Sequence, residues 1–450
     1  MRNVNESLIK AAPAGRKFRI QFLAWMLVLC LGWPAPSGAY SVLTHETIID
    51  TAWETHLQPL LQHRFPKATA DELRKAHAYA YGGAIIQDMG YYPHGNKFFS
   101  DLTHYVRSGD FVESLLRNAQ DLNEYAFALG SLAHYSADNN GHRIGTNPAV
   151  AVLYPKLKTR FGNVVTYEDD PSAHVKTEFS FDVLEVAKER YAPQSYHDFI
   201  GFEVSLPVLE RAFCETYGLE LNSVLPNEQQ VIGSYRHAVS SLIPKATRIA
   251  WKLKEKDIRH DVPGVTRRKF LYNLSRASYE KEWGKDYQKP GAWDTFLAFL
   301  YRILPKVGPL KVLTFRTPTP QTEKMFEESF NATLDRYRIL LGDLRKGDLD
   351  LTNTNFDVGV PTVRGKYWLS DAAYEELVDR LAVNNFAQTP PELRADILRF
   401  FSTPDNPAAI AARQKSKHKS TEESRARITA ELERLEHEPG SSANQTTHGH

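Results

Sequence analysis

Three potential metal ligands stand within nine residues of one another in the segment HYSADNNGH. The spacing of apolar residues predicts a helix over residues 121–138, and on it His134 and Asp138 are four residues apart. Residues four apart share a helix face, so both side chains can reach one ion. The Asn-Asn-Gly sequence at 139–141 tolerates the left-handed conformation in which helices end. We therefore expect the helix to break there, with His142 following where the chain changes direction.

A second helix carries a similar pair. Pro171 fits the first position of a helix, and Asp170 before it is a suitable N-cap residue. His174 and Glu178 then lie four residues apart on this helix. An isolated His-x-x-x-Glu is weak evidence, so its meaning depends on the ligands that accompany it.

Further candidates precede these two helices. His45 opens a predicted helix on its apolar face, and Asp88 follows a helical run over 71–87 in strongly apolar surroundings, where a buried acid needs a partner. A mixture of imidazole and carboxylate groups suits zinc. Nine ligands are too many for one tetrahedral ion and suit a cluster in which Asp138 bridges two metals. The complete candidate set is Tyr40 (through its α-amine), His45, Asp88, His104, His134, Asp138, His142, His174 and Glu178.

The first 39 residues differ in kind from the rest of the chain. Five basic residues precede a short apolar run over 21–33, and the small residues Ser-Gly-Ala follow at 37–39. This pattern is typical of a secretory signal peptide. We expect cleavage before Tyr40 and an exported protein, secreted or periplasmic. An uncleaved membrane anchor is the alternative.

Composition sets bounds on the mature chain. Removal of residues 1–39 leaves 50 Lys and Arg against 53 Asp and Glu, which gives no bulk attraction to a polyanion. Cys214 is then the only cysteine, so no disulfide can form within the chain. The fold must be stabilised by its apolar core, by bound metal, or by both.

The rest of the sequence is helical in pattern, and we expect an all-α protein. Helices are predicted over 229–254, 270–301, 321–344 and 370–383, and no strand-rich region is evident. The apolar, basic segment 296–315 is interrupted by proline and glycine, which fits a buried helix end or a surface that contacts lipid. Residues 403–450 lack the apolar content to pack, although 420–438 could form a lone polar helix.

The ordered ligand set over 40–190 resembles that of the zinc-dependent phospholipase C and S1/P1 nuclease superfamily. The resemblance implies an all-α multi-helix domain, here placed at 40–260, with a helical extension at 261–402. It also implies three zinc ions: Tyr40 and His45 would bind the first, and Asp88 with His104 and His134 the second. Asp138 would bridge, and His142, His174 and Glu178 would hold the third. A bridging water would attack a phosphodiester, with Asp88 orienting or deprotonating it.

The function expected from the resemblance is that of a zinc-dependent phosphodiesterase of the phospholipase C type, which hydrolyses phospholipid head groups. The final His-x-x-x-Glu pair resembles the phospholipase branch, whereas the nucleases typically have Asp at its last position. Leu43, Met89 and Asp101 stand where the bacterial phospholipases carry the acid and two aromatics of a choline pocket. A single-strand nuclease is the first alternative, with Tyr91, Tyr92 and Phe98 as candidate stacking platforms. A non-catalytic metal-containing binding protein is the second.

Overall fold

The computed structural model describes residues 42–92, 94–190, 203–237, 243–270, 313–403 and 422–437. These residues form an all-α protein, as the sequence predicted, with one two-stranded hairpin. Its helices are α1 Val42–Ala52, α2 Gln58–Arg64, α3 Ala70–Ala84, α4 Lys97–Tyr105, α5 Ser108–Asn118, α6 Leu122–Asn140, α7 Asn147–Leu153, α8 Pro155–Phe161, α9 Pro171–Lys188, α10 Leu206–Tyr217, α11 Leu221–Val224, α12 Glu228–His237, α13 Ile243–Asp261, α14 Pro320–Lys346, α15 Trp368–Val383, α16 Pro391–Ser402 and α17 Glu422–His437.

Helix α6 lies at the centre of the fold. Asp121 caps it by accepting hydrogen bonds from the backbone N–H groups of Asn123 and Glu124. Residues 124–138 are buried on every side, against α1, α3, α5 and α14. A Cβ atom added at Gly130 would lie 2.0 Å from the Ala80 carbonyl oxygen of α3, so the glycine permits this close approach of two helices.

The predicted helix break at 139–141 is wrong. The Asn139 and Asn140 side chains donate to the carbonyls of Tyr135 and Ser136 one turn earlier, so both residues remain within the helix. Gly141 keeps right-handed helical dihedrals, and a π-helical turn, Gly141–Thr146, joins α6 to α7. A π-helical turn of this kind is often found at functional sites.

The part of the chain beyond residue 260 shares its core with the part before it. Buried residues from Val42 to Leu435 belong to one continuous apolar cluster, and α14 packs against α6 and the π-helical turn. After α14, strands β1 (Thr354–Asn355) and β2 (Val360–Pro361) pair antiparallel, with Thr354 opposite Pro361. The boundary that the sequence placed at 260 does not separate two cores among the described residues.

Helix α17 is packed, which the sequence did not predict. Ile428 and Leu435 are buried against α15 and α16, with Leu432 beside them. Arg394 of α16 donates to the Leu435 carbonyl. Three apolar residues on one face are enough to attach an otherwise polar helix, so the prediction of an unpacked tail is wrong for this segment. The rest of the tail, 404–421 and 438–450, lies outside the described residues.

Two predicted segments fall wholly or mainly outside the description. Residues 1–41, with the expected signal peptide and Tyr40, are not described, nor are residues 271–312. Leu313 and Phe315, at the end of the segment proposed to contact lipid, are buried, and Phe315 packs against Phe179. Among the described residues, no helix has the length and apolar character needed to cross a membrane.

Candidate metal centre

Three groups of buried side chains, each able to hold a metal ion, lie at the centre of the fold. Their ligand atoms lie within 4.8 Å of one another in each group. The groups are His45 with His134 and Asp138; Asp88 with His104 and His134; and His142 with His174 and Glu178. All eight described candidates from the sequence are therefore brought together in this region, and Tyr40 lies outside the described residues.

Asp138 lies between the first two groups. Its Oδ1 atom is 3.6 Å from Nε2 of His45, and its Oδ2 atom is 3.1 Å from Nε2 of His134 and 3.4 Å from Nε2 of His104. The His45 and His134 rings stack with their centroids 4.6 Å apart. The two carboxylate oxygens thus face different histidines, which is the geometry that a bridging ligand requires.

Asp88 reaches the second group from the 3₁₀ turn Ile86–Tyr91 that follows α3. Its Oδ1 atom lies 3.3 Å from Nε2 of His104, which α4 supplies. The predicted helix over 71–87 ends at Ala84 instead, because the chain tightens into this turn. The turn aims the acid at the histidines of two other helices.

The third group joins the π-helical turn to α9. Asp170 caps α9 as predicted, accepting from the Ala173 N–H, and Pro171 is its first residue. Nδ1 of His174 lies 2.8 Å from Oε1 of Glu178, and Nε2 of His142 lies 3.6 Å from the same oxygen. The π-helical turn therefore brings His142 to this group despite its short spacing from Asp138.

Hydrogen bonds to the outer ring nitrogens orient the histidines. The Nδ1–H group of His104 donates to the Ser100 carbonyl, that of His134 to Ala84 and that of His142 to Phe356, at 2.8, 2.9 and 3.0 Å. His174 is turned the other way, and its Nε2–H donates to Oδ1 of Asn147. Outer partners of this kind fix the tautomer and direction of metal-binding imidazoles.

The inward atoms fit a bound cation. Among the described residues, these buried atoms have no hydrogen-bond partner: Oδ1 of Asp88, Nε2 of His104, His134 and His142, both carboxylate oxygens of Asp138, Nδ1 of His174 and Oε1 of Glu178. Buried polar atoms are rarely left in this state, because desolvation without a partner is costly. Imidazole nitrogens and carboxylate oxygens that converge without partners form a donor set suited to zinc.

Burial keeps two of the histidines neutral. It lowers the pKa of His45 to about 3 and that of His174 to about 4. A metal binds the neutral imidazole, so neither ring must lose a proton first. Burial raises the pKa of Glu178 to about 8, because desolvation of the charged carboxylate outweighs the opposing effect of His142.

The carboxylates of the first two groups favour a proton on His104. Burial opposes a charge on His104, but its contacts with the Asp138 and Asp88 carboxylates outweigh this and raise its pKa to about 10. Burial also acts to raise the pKa of Asp138, but His134 and His104 lower it well below the ordinary value. A divalent cation can replace this proton, so metal binding should release protons.

The extension beyond residue 260 supplies neighbours of the centre that the sequence did not reveal. The Phe356 ring packs 5.4 Å from that of His104 and 5.5 Å from that of Tyr135. Asp357 lies 3.3 Å from His142, and Asn147 donates to the Asp357 carbonyl. The turn sequence Asn355-Phe-Asp-Val-Gly was the one available signal, and it indicates a turn but not its neighbours.

An all-α fold around buried histidine and carboxylate groups defines a helical protein with a candidate metal centre. Residues 44–226 match the family model described as zinc dependent phospholipase C, which supports the resemblance that the sequence showed. The matched residues include every described ligand candidate. No curated protein and no solved structure matches the chain significantly.

Proposed function

We propose that this protein is a zinc-dependent phosphodiesterase that hydrolyses phospholipids in the manner of a phospholipase C. The convergence of three buried ligand groups within the matched region carries the proposal. We further propose that the centre holds three ions, one for each group, with Asp138 between two of them. The mature chain would begin at Tyr40 after export, and its α-amine would add a ligand beside His45.

Bound zinc would lower the pKa of a coordinated water and neutralise charge on phosphate oxygens. The side chains perform the remaining tasks. Asp88 lies against His104 and carries a buried carboxylate whose pKa burial raises, so it can orient the attacking water and accept its proton. His174 and Glu178, two of the three ligands of the third group, lie one turn apart on α9, so the helix fixes their relative positions.

The surroundings favour a phospholipid over a nucleic acid. Tyr91, Tyr92 and Phe98, the candidate stacking platforms, are only 4, 4 and 3 % exposed. Tyr91 packs edge-on against His104, and Tyr92 against Tyr235. Rings buried in this way cannot stack on the bases of a single strand, which a nuclease of this type needs.

The residues at the choline-pocket positions do not favour choline. Leu43 and Met89 are buried in the core, and Lys97 neutralises Asp101 with its Nζ 2.7 Å from Oδ2. Neither apolar residue offers a ring or charge to a quaternary ammonium group. We therefore expect cleavage of phospholipids without a strong preference for the choline head group.

A substrate panel tests the proposal. Zinc-loaded protein is incubated with vesicles of phosphatidylcholine, phosphatidylethanolamine and phosphatidylglycerol, and separately with single-stranded DNA and RNA. We expect release of phosphorylated head groups that stops on chelation and returns with zinc. Asp88→Asn should lower the rate at least about 100-fold.

Asp396→Asn is the matched control, because Asp396 is an equally buried acid that accepts from the Tyr374 hydroxyl and lies outside the ligand groups. Its rate should remain near that of the wild type. Cleavage of nucleic acid with every phospholipid intact would establish the nuclease alternative instead. Zinc binding without cleavage of any substrate would favour a binding protein.

A further inference from the structure

Asp357 is a buried carboxylate outside the matched region that contacts one of the proposed ligands. The residue is 3 % exposed, and its Oδ1 atom lies 3.3 Å from Nδ1 of His142. Its Oδ2 atom accepts hydrogen bonds from the hydroxyls of Tyr105, at 2.7 Å, and Tyr367. The two tyrosines come from α4 and from the segment before α15, so the carboxylate is fixed from both sides.

The turn that carries Asp357 is itself held in place. The Asp357 N–H donates to Oδ1 of Asn355 at 2.9 Å, and the Gly359 N–H donates to the Asn355 carbonyl at 2.8 Å. Gly359 has φ of +64°, and a Cβ atom there would lie 2.4 Å from the Asn139 carbonyl oxygen. Only glycine suits this position, which lets the turn rest directly on the end of α6.

We propose that Asp357 is a positioning residue that orients His142 for metal binding. The Nδ1–H group of His142 donates to the Phe356 carbonyl, and Oδ1 of Asp357 lies 3.3 Å from the same nitrogen. This arrangement leaves Nε2 directed at Glu178. A carboxylate behind a metal-bound imidazole fixes the ring and makes it a stronger ligand. The inference rests on the proposed metal centre and assigns the extension a part in it.

The same turn also supports the second histidine of that group. Asn147 donates from Nδ2 to the Asp357 carbonyl at 2.7 Å and accepts at Oδ1 from Nε2–H of His174 at 2.9 Å. One short segment of the extension thus contacts His142 directly and His174 through Asn147. Loss of the Asp357 carboxylate alone, with the segment otherwise in place, should therefore weaken the third metal group and spare the other two.

Zinc release from the full-length protein tests the role. The loaded protein is mixed with excess pyridylazoresorcinol, and the release of each ion is followed as a separate kinetic phase. In Asp357→Asn, one phase should become about 10-fold faster, at the lower end of the usual effect of such partners. The Phe356 carbonyl still accepts a hydrogen bond from His142 in this variant, which limits the increase in the rate of zinc release. The remaining phases should keep their wild-type rates.

Asp396→Asn is again the matched control, since it removes a tyrosine-bonded carboxylate of the same extension that touches no proposed ligand. Its phases should all match the wild type. Unchanged phases in Asp357→Asn would overturn the role, as would equal acceleration of all phases in both variants. A wild-type chain that held no zinc would exclude the metal centre and this role together.

A second variant serves if Asp357→Asn does not fold. Tyr105→Phe with Tyr367→Phe keeps the carboxylate charge but removes both hydroxyls that hold it. The same single phase should accelerate, by less than in Asp357→Asn. Thermal melting of the zinc-free proteins shows whether the faster zinc release is accompanied by a change in global stability. A double variant that folds and releases zinc at the wild-type rates would overturn the role of Asp357.

Discussion

Asp138 lies one helical turn after His134, and its Oδ2 atom is 3.1 Å from Nε2 of that histidine. The other oxygen, Oδ1, faces His45 on a different helix. If each oxygen binds its own ion, one substitution should disturb two metals. We expect Asp138→Asn to lose more than one zinc per chain, together with most of the stability that metal contributes.

Elemental analysis of the dialysed variant measures this loss. His174→Ala is a useful comparison, because His174 belongs to the third group alone and its loss should cost about one ion. Full metal content in Asp138→Asn would contradict its place between two ions.

Local spacing explains why so much of the centre was predictable. The pairs His134 with Asp138 and His174 with Glu178 are each four residues apart, and a helix alone places both members on one face. His45, Asp88 and His104 followed from their order along the chain and the family resemblance. Their distances required α1, α3 and the 3₁₀ turn Ile86–Tyr91 to pack against α6, and α4 to pack against that turn.

The contacts that the extension makes with the metal centre could not be predicted from local spacing. His142 and Asp357 are 215 residues apart, and no periodicity links an acid in a short turn to a distant histidine. The π-helical turn was also missed, because Asn-Asn-Gly is typical of a helix end. Instead, the side chains of Asn139 and Asn140 donate hydrogen bonds to carbonyls of the preceding turn, and the helix continues through both residues.

Glu185 should make stability depend on pH. Burial raises its pKa to about 7 from an ordinary 4.5, so between these values the folded chain binds a proton that the unfolded chain does not. Stability should therefore fall as pH rises from about 4.5 to about 7. Glu185→Gln removes this dependence and should be more stable than the wild type at pH 8, by up to about 3 kcal/mol.

Urea unfolding from pH 4.5 to 8, with zinc at one fixed concentration, compares the two proteins at each pH. Arg190 keeps its ion pairs with Glu323 and Glu327 in the variant, so it is not left without partners. The control is Glu328→Gln, since Glu328 is exposed on α14. A constant difference between Glu185→Gln and wild type at every pH would refute the assignment.

Helix α17 should stabilise the protein through one buried side chain in particular. Leu435 is fully buried, whereas the ion pair of Arg427 with Asp379 is exposed and contributes little. Leu435→Ala should cost about 2–5 kcal/mol, the usual result of opening a cavity in a core. Truncation after Pro404 should lower the melting temperature for the same reason.

Thermal unfolding followed by circular dichroism measures both changes. Glu433→Ala on the exposed face of α17 is the control and should melt with the wild type. Equal melting temperatures for the truncated and full-length chains would show that α17 does not dock in solution.

Hydrogen bonds to Asp182 fix the start of α1, next to the expected cleavage site before Tyr40. The Leu43 N–H and the Thr44 hydroxyl both donate to the buried carboxylate of Asp182, at 3.2 and 2.8 Å. These bonds hold the chain beside His45, so a mature N-terminus at Tyr40 could reach the first group. An α-amine with a pKa of about 7.7–8.0 loses its proton readily to a nearby cation.

We therefore expect a chain that begins at Tyr40 to bind one more zinc ion than a chain with Gly-Ser added before it. The extended chain should fold normally, with an unchanged circular dichroism spectrum, and it should hydrolyse substrate far more slowly than the chain that begins at Tyr40. Tyr40→Phe keeps the α-amine and should match the wild type in zinc content and rate, which separates a backbone ligand from a side-chain effect. Equal zinc content and equal activity with and without the added residues would exclude the terminal amine as a ligand.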